Sequence, residues 1–509
     1  MRIFVLPALL LAASLSPALT FAALWQTKEW RIDRLKEHLL AEGWFRQLFG
    51  IVRPAVVLVS PLLIVIPFLR IPWYTAGLTV LAAASAAQLL MHRQRMPVWT
   101  MKAKIIVLCS LLMNIIAGYG LLALGSWEVI LLPVLQPCII AIAWAFLLPV
   151  DRVMKRGILR RAQTLRERYP NAIVVGITGS VGKTTTKELL AHILQSPTVL
   201  ATPAYVNSEM GVAQWLLREL PKFPQTENIL LIVEMGAYRT GEIATLCRIA
   251  QPQTGVLTFV GSQHVALFGS EEKLLNAKSE LIAALPETGR AFVNADCSPC
   301  LEAAKKARCA VVRVSTGGHA DVEAHDIEET SEGIRFTVDG HRFDVPLHGT
   351  HNVTNVLLAI AVAEHLGISR EKCTQKLLSF QLPHSTFTVR TERGVTILDD
   401  THNSSPASFR AAIAWAKSQP TQRKILLTPG IIELGEETDR IHTDLGAAAR
   451  GIVHRVIFTG KRGREAFARG YGSPVEHRNG NTAPVTKDSL LLCIGRIPPP
   501  IIDSLLPPA

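Results

Sequence analysis

Val174–Leu190 reads VVGITGSVGKTTTKELL. The apolar run Ile173-Val174-Val175 ahead of it predicts a buried strand. Glycines at 176, 179 and 182 punctuate the loop that follows, and Lys183, three threonines and the start of an amphipathic helix come next. Strand, glycine-rich loop, Lys-Thr and helix together cradle phosphate. Glycine lets backbone N–H groups approach the oxygens, and the helix N-terminus adds partial positive charge. Gly179, Ser180, Val181, Gly182, Lys183, Thr184 and Thr185 are therefore the expected ATP cradle. In it Lys183 supplies a point charge to the β- and γ-phosphates, and the Thr184 hydroxyl is a ligand for Mg2+. Ile177 stands where the strict pattern has glycine. The competing reading, a plain glycine-rich turn at a helix start, leaves the Gly-Lys-Thr run and its flanking elements unexplained.

Working outward, 509 residues predict three or four domains. Hydrophobic residues make up 49% and charged residues only 18%, too apolar a balance for an ordinary soluble enzyme. The net charge of +12 accompanies apolar runs and shows no aromatic-basic interleaving, which argues for a membrane surface and against nucleic acid. Eight cysteines in so long a chain predict free thiols and not a disulfide framework. Cys297-Ser-Pro-Cys300, with Cys309 nearby, is one isolated pair and carries little weight for zinc or redox chemistry.

Five apolar stretches, 3–24, 51–69, 74–91, 104–124 and 128–150, each approach the roughly 20 residues that a bilayer-spanning helix needs. Residues 1–150 are therefore read as a membrane domain of about five transmembrane helices, in contact with the lipid bilayer. Basic residues fill alternate connections: Lys28, Arg31, Arg34, Lys36 and Arg46, then Arg93, Arg95, Lys102 and Lys104, then Arg152 to Arg168. Five spans with an external N-terminus put all three on the cytoplasmic side of a bacterial inner membrane. A cleaved signal peptide would move 25–50 outside, so the first stretch is read as an uncleaved span. Segment 25–50 reads equally as an interfacial amphipathic helix or a plain connector.

Residues 151–170 read as a basic helical linker. From 171 short apolar strands alternate with helices, the α/β pattern. Ile229–Val233 runs into Glu234, and a carboxylate at a strand's C-terminal end sits where parallel sheets hold ligands. Gly255–Val260 is another strand, with His264 in the loop after it; 271–284 is a helix carrying Lys278. Residues 321–347 read as β-hairpins, and a third α/β unit begins after Pro383. Hence the expected fold is an N-terminal α-helical membrane bundle, then a P-loop central domain with a mostly parallel sheet over 171–383. A Rossmann-like domain over 384–496 and a mobile Pro-rich tail over 497–509 complete it. A doubly wound sheet would bring the phosphate loop, Glu234 and His264 together, although Mg2+ prefers oxygen to imidazole.

Across about 171–460 the chain resembles the Mur ligase family, most closely its D-alanyl-D-alanine-adding branch. The resemblance rests on an ordered set: Gly176-Ile-Thr-Gly-Ser-Val-Gly-Lys-Thr-Thr, Asn207-Ser-Glu-Met-Gly, Val233-Glu-Met-Gly-Ala, His264-Val-Ala-Leu-Phe-Gly-Ser and Asn276-Ala-Lys-Ser-Glu. Asn294-Ala-Asp, Gly349-Thr-His-Asn-Val-Thr-Asn, Asp399-Asp-Thr-His-Asn and Glu433-Leu-Gly-Glu-Glu follow. It implies an ATP-dependent, ADP-forming ligase that joins a carboxylate to an amine through an acyl phosphate. By residue, it implies catalytic roles for Lys183, Lys278 and His264. Magnesium falls to Thr184, Glu234, His264 and Lys278, the last as the position that is carbamylated in several members. Nucleotide contacts fall to Asn294, His351, Asn355 and Asp399, and substrate contacts to Asn207, Ser208, His402 and Asn403.

Three departures fall in the domain that presents the amine: Thr386-Phe387 in place of a Gly-Arg pair, with Arg390 near, Pro429-Gly430 in place of Gly-Asp, and Ile494-Gly495-Arg496 in place of Lys-Gly-Ser. The family's soluble UDP-binding domain is replaced by the apolar stretches. The expected partners are accordingly a lipid-linked or polymeric acidic acceptor, an amino acid or dipeptide, and envelope-biosynthesis proteins. Competing readings are a peptidoglycan-precursor ligase with an added anchor, a polyglutamate-synthase-like ligase, and a nucleotide-dependent membrane switch.

Overall fold

Long unbroken runs of Leu, Ile, Val and Ala satisfy their backbone groups most simply as helices. In the computed structural model they do. It describes every residue except 1, 66–71, 93, 125, 262–267, 331, 383–386, 402–404, 422, 432–433, 435–436, 479–481 and 509. The chain divides into two units, Met1–Arg156 and Gly157–Ala509.

Helices α1 (Arg2–Thr27), α2 (Trp73–Leu90) and α3 (Met101–Ala123) of the first unit, and α4 (Gln136–Glu167), which begins in it, are long and apolar enough to cross a membrane, by length and composition. The expected span at 51–69 differs. Its residues 66–69 lie outside the described ones, and the rest forms the helix Val52–Val59 and then the 3-10 turn Ser60–Val65. Pro61 has no N–H for the Val57 carbonyl, and the Ser60 hydroxyl donates there instead, at 3.2 Å. The expected span at 128–150 begins at Gln136, because Trp127–Leu131 before it is a 3-10 turn followed by Pro133. It runs on to Glu167, so no separate linker starts at 151. A Cβ on Gly118 would lie 2.4 Å from Leu10 Cδ2, so α1 and α3 touch there through a missing side chain. Buried Ser110, Asn114 and Gln136 are linked, with Gln136 Nε2 donating to Ser110 Oγ at 3.2 Å and Asn114 Nδ2 donating to Gln136 Oε1.

The second unit is built on a seven-stranded sheet. Its strands are β1 (Ile173–Thr178), β2 (Val199–Ala201), β3 (Leu230–Glu234), β4 (Thr254–Leu257), β5 (Arg290–Asn294), β6 (Ala310–Ser315) and β7 (Val322–Glu323), in the order β2-β3-β1-β4-β5-β6-β7. All pairs are parallel. Near-continuous apolar strands fit a sheet covered on both faces. Val174 packs in the layer with Trp215 and Leu281, and Val175 in the opposite layer with Leu190 and Val356. Chain order reverses direction at β1, so the loop after it lies at the switch point where such sheets bind ligands. Residues 325–345 form the antiparallel hairpins expected there, while Val322–Glu323 joins the main sheet instead.

The C-terminal sheet holds β8 (Thr388–Glu392) antiparallel to β9 (Val395–Asp400), and β9 parallel to Ser489–Ile494, with three further parallel strands beyond. The tail is packed, against expectation. Pro499–Asp503 is a helix, Ile497, Ile502, Leu505 and Leu506 are buried with Ile397 and Leu491, and Val485 N donates to Leu505 O at 2.8 Å. Prolines that look like a sign of mobility here lower the entropy lost on ordering.

Arg166, 2% exposed near the end of α4, caps three carbonyls: Ala250 at 3.0 Å, Tyr169 at 2.7 Å and Ala172 at 2.8 Å. Arg166→Ala takes the guanidinium from the Ala250 and Ala172 carbonyls, while Tyr169 O keeps the Ala172 N–H at 3.1 Å, and is expected to cost about 2–4 kcal/mol. Exposed Arg168→Ala should stay within about 0.5 kcal/mol. Thermal unfolding of the full chain in detergent checks the difference.

Candidate active site

The phosphate loop owes its shape to two glycines. Gly182, at φ +86°, caps α5 (Lys183–Ile193), and a Cβ there would lie 2.3 Å from Asn355 Oδ1. Gly179, at φ +153°, leaves no room either, with Thr258 Oγ1 2.1 Å from a built Cβ. The loop is tied down from the side by Ser180 N donating to Phe259 O at 2.6 Å. Lys183 Nζ donates to Gly179 O at 2.8 Å and to Ser180 O at 3.2 Å.

Glu234 ends β3 beside this loop and is almost fully buried. Thr184 Oγ1 donates to its Oε2 and Asn207 Nδ2 to its Oε1, each at 3.0 Å. Its own N–H donates to Thr202 Oγ1 at 3.0 Å. A hydroxyl and a carboxylate side by side are hard oxygen donors suited to Mg2+ that is also held by nucleotide phosphates. No cluster of three or more His, Cys, Asp or Glu side chains that could hold a metal by itself occurs among the described residues.

One cavity is lined by Lys183, Thr184, Asn207, Glu234, Lys278, His351, Asn355 and Asp400. Lys278 comes from α6 (Glu271–Ala284) and is buried. Burial, and then the Lys183 charge, bring its ammonium down to about 7, against Glu242, Glu280 and Glu234. Burial likewise lowers Lys183 from the ordinary lysine range. His351 falls to about 4 through burial, so it is neutral; its ring stands edge-on to Phe387 with centroids 5.0 Å apart. A second cavity shares Val181, Gly182, His351 and Asn355 and reaches Asn294, Asp296 and Thr316. Asn294 Oδ1 accepts from Asp296 N at 2.9 Å, and Asn355 Nδ2 donates to Asn352 Oδ1 at 2.9 Å.

Residues expected from the sequence therefore divide. Ser180 to Thr185, Asn207, Glu234, Lys278, Asn294, His351 and Asn355 line one or both cavities. Ser208 does not: it caps the helix Glu209–Glu219 and accepts from Gly211 N at 3.3 Å. Asp399 does not either. Arg390 Nη1 donates to its Oδ2 at 2.6 Å and Thr401 Oγ1 to its Oδ1 at 2.7 Å. Successive strand residues face opposite ways, and it is the next residue, Asp400, that lines the cavity with Phe387. His264, His402 and Asn403 lie outside the described residues. Asp400, Phe387, Ser408, Asp296, Thr316 and Thr354 join the lining without being expected from the sequence. Only the Asp399-Asp400 pair offers a signal, through strand alternation. Phe387 stands at φ +50°, a strained conformation for an aromatic residue and one that marks a site.

The family described as "Mur ligase middle domain" matches residues 177–363. The UDP-N-acetylmuramoyl-tripeptide–D-alanyl-D-alanine ligase of Escherichia coli K12 is 32% identical over 345 residues, covering 65% of this chain and 73% of that protein. The ligase of the same name from Bacillus subtilis is 33% identical over 296 residues, covering 57% and 63%. The chain thus spans less than two thirds of the length of several such relatives, at 61 to 63%. Among solved structures, MurF from Acinetobacter baumannii aligns with a TM-score of 0.62 at 25% identity over 69% of this chain and 80% of that one. MurF ligase from Thermotoga maritima in complex with ADP aligns at 0.58 and 26% over 66% and 80%.

Asp400 is held protonated up to about 7, by burial first and the neighbouring Asp399 charge, against hydrogen bonds from Ser408 and the Phe387 backbone. A carboxyl whose folded pKa is raised binds its proton more tightly folded than unfolded. Stability is therefore lost as pH rises from the unfolded value near 4 to about 7, and is level above. Asp400→Asn removes that slope. The melting-temperature gap between variant and wild type should move in the variant's favour from pH 4 to 7 and then stop changing, as followed by thermal unfolding across that range.

Proposed function

The chain belongs to the Mur ligase family, and we propose that it is a membrane-held, ATP-dependent ligase joining a carboxylate to an amine through an acyl phosphate. The observation that carries this reading is the Thr184–Glu234–Asn207 clasp, with Lys183 and Lys278 on the same cavity wall. A switch that only binds and releases nucleotide has no use for a second buried lysine in the cavity or for an asparagine tied to the Glu234 carboxylate.

In this reading the acceptor carboxylate attacks the γ-phosphorus of ATP, the bond to the β–γ bridging oxygen breaks, and ADP leaves. The amine then attacks the acyl carbon and inorganic phosphate leaves as the amide forms. Lys183 and the loop N–H groups offset charge on the phosphoryl group, where positioning and electrostatics supply nearly all of the catalysis. Thr184 and Glu234 would hold Mg2+, which supplies further charge neutralisation on the phosphates. Asn207 orients the acceptor from beside Glu234. With its ammonium brought down to about 7, a large share of Lys278 is neutral at physiological pH, which suits it to take up CO2 as a carbamate with loss of a proton, an anionic group in place of an ammonium. His264 belongs to the same proposal on the resemblance alone. Neutral His351, Asn355 and Asn294 shape the nucleoside end, and buried Asp400 brings the C-terminal domain to that wall.

The acceptor is proposed to be lipid-linked or polymeric and not UDP-linked. Among the described residues, four helices long and apolar enough to cross a membrane precede the ligase core, and much of their apolar surface faces outward, Leu108, Ile116, Ile142 and Phe146 among it. They sit in a bacterial inner membrane with the ligase core cytoplasmic, where the basic connections and ATP both belong. A second reading, a peptidoglycan-precursor ligase with an added anchor, is favoured by the names of the relatives, which take D-alanyl-D-alanine.

Purified protein given ATP, an amino-acid and dipeptide pool and either membrane lipid extract or UDP-muramoyl tripeptide separates these readings by mass spectrometry of products. Product from lipid extract alone supports the first, and product from the UDP substrate supports the second. Lys183→Ala should cut either by at least about a thousandfold, given how much phosphoryl transfer relies on charge neutralisation. Full ATP turnover with neither acid nor amine added would sink the ligase reading.

A further inference from the structure

Lys187 is fully buried, one turn beyond Lys183 on α5, and lies behind the cavity without lining it. Its Nζ donates to Thr202 O at 2.7 Å, and lies 2.9 Å from Glu188 Oε1 and 3.8 Å from Glu234 Oε2. Burying an ammonium costs more than burying a methionine or leucine of similar reach, unless the charge does something those side chains cannot. Thr202 is where its grip is placed. The Thr202 hydroxyl accepts the Glu234 N–H, and five residues on, Asn207 Nδ2 donates to Glu234 Oε1. One lysine therefore touches both the carboxylate and the start of the segment that returns to it.

We propose that Lys187 is a positioning residue that braces Glu234 from behind and weakens its hold on a bare divalent cation, so that magnesium binds with the nucleotide and not ahead of it. This rests on the reading that Thr184 and Glu234 hold the nucleotide's magnesium. The reasoning is electrostatic. Glu234 is the carboxylate bonded to the phosphate loop's Thr184, and three lysines lie around it: Lys183 and Lys278 in the cavity lining and Lys187 behind. A cation arriving alone meets a carboxylate whose charge is already answered at 3.8 Å, in a buried setting where water screens little. Triphosphate oxygens bring the negative charge that the site lacks, and the metal then has a reason to stay. Geometry and charge act together, because the ammonium that offsets Glu234 also fixes the loop that orients it.

The test uses the full chain in detergent with Mn2+ as the probe, its binding followed by electron paramagnetic resonance with and without a non-hydrolysable ATP analogue. Wild type and Lys187→Arg should bind Mn2+ weakly alone and well with the analogue. Lys187→Met, and Lys187→Gln, which keeps a donor for Thr202 O if the methionine variant does not fold, should bind Mn2+ alone at least about tenfold more tightly. A side chain with a merely structural role would not tighten metal binding on removal. Equal or weaker Mn2+ affinity in a charge-removing variant that still binds the analogue overturns the proposal. Glu234→Gln separates the underlying reading: loss of Mn2+ binding with the analogue supports the metal site, whereas retention refutes that site whatever the lysine variants do.

Discussion

A single carboxylate, Glu234, is held at both oxygens, by a threonine hydroxyl from the phosphate loop's helix and an asparagine amide from the loop after β2. Everything that makes this pocket more than a phosphate cradle passes through that clasp. It exists because β3 lies directly beside β1 in a parallel sheet, with Ile177 level with Glu234, so the strand end and the phosphate loop emerge together. Parallel backbone pairing, from Ile173 opposite Leu230 to Ile177 opposite Glu234, holds that register. A slip of one residue would turn Glu234 into the core and lose the site.

The same register logic explains what the sequence discloses and what it does not. The phosphate loop, Glu234, Asn207 and Lys278 are legible because local motifs and strand ends mark them. Asp399 and Asp400 cannot be told apart by motif, since both lie at the end of a strand. Alternation decides between them, sending Asp399 to Arg390 and Asp400 to the cavity wall. Ser208 misleads for another reason: a serine before a helix is also the ordinary capping residue, and here it caps. The cavity contacts from the C-terminal domain, Phe387 and Ser408, need tertiary structure, because nothing local joins them to a phosphate loop more than 200 positions earlier.

Departures elsewhere have equally specific causes. Composition finds the apolar segments, and Pro61 and Pro133 set where each helix runs. The tail's prolines conceal four apolar side chains that bury in the C-terminal core. In each case a local signal meets a competing one, and the hydrogen-bond or burial demand decides. The apolar unit and the ligase core are legible separately, and their pairing in one chain motivates a membrane-associated acceptor.

The central claim is that phosphate leaves this site from an acyl group and not from water. Turnover in 18O-water tests it whatever the acceptor is. With membrane extract and an amine pool supplying substrate, an acyl-phosphate ligase releases phosphate whose fourth oxygen came from the acceptor carboxylate, so the phosphate carries no solvent label. Phosphate bearing one solvent 18O per turnover would mean that water attacks ATP directly, and would contradict a ligase.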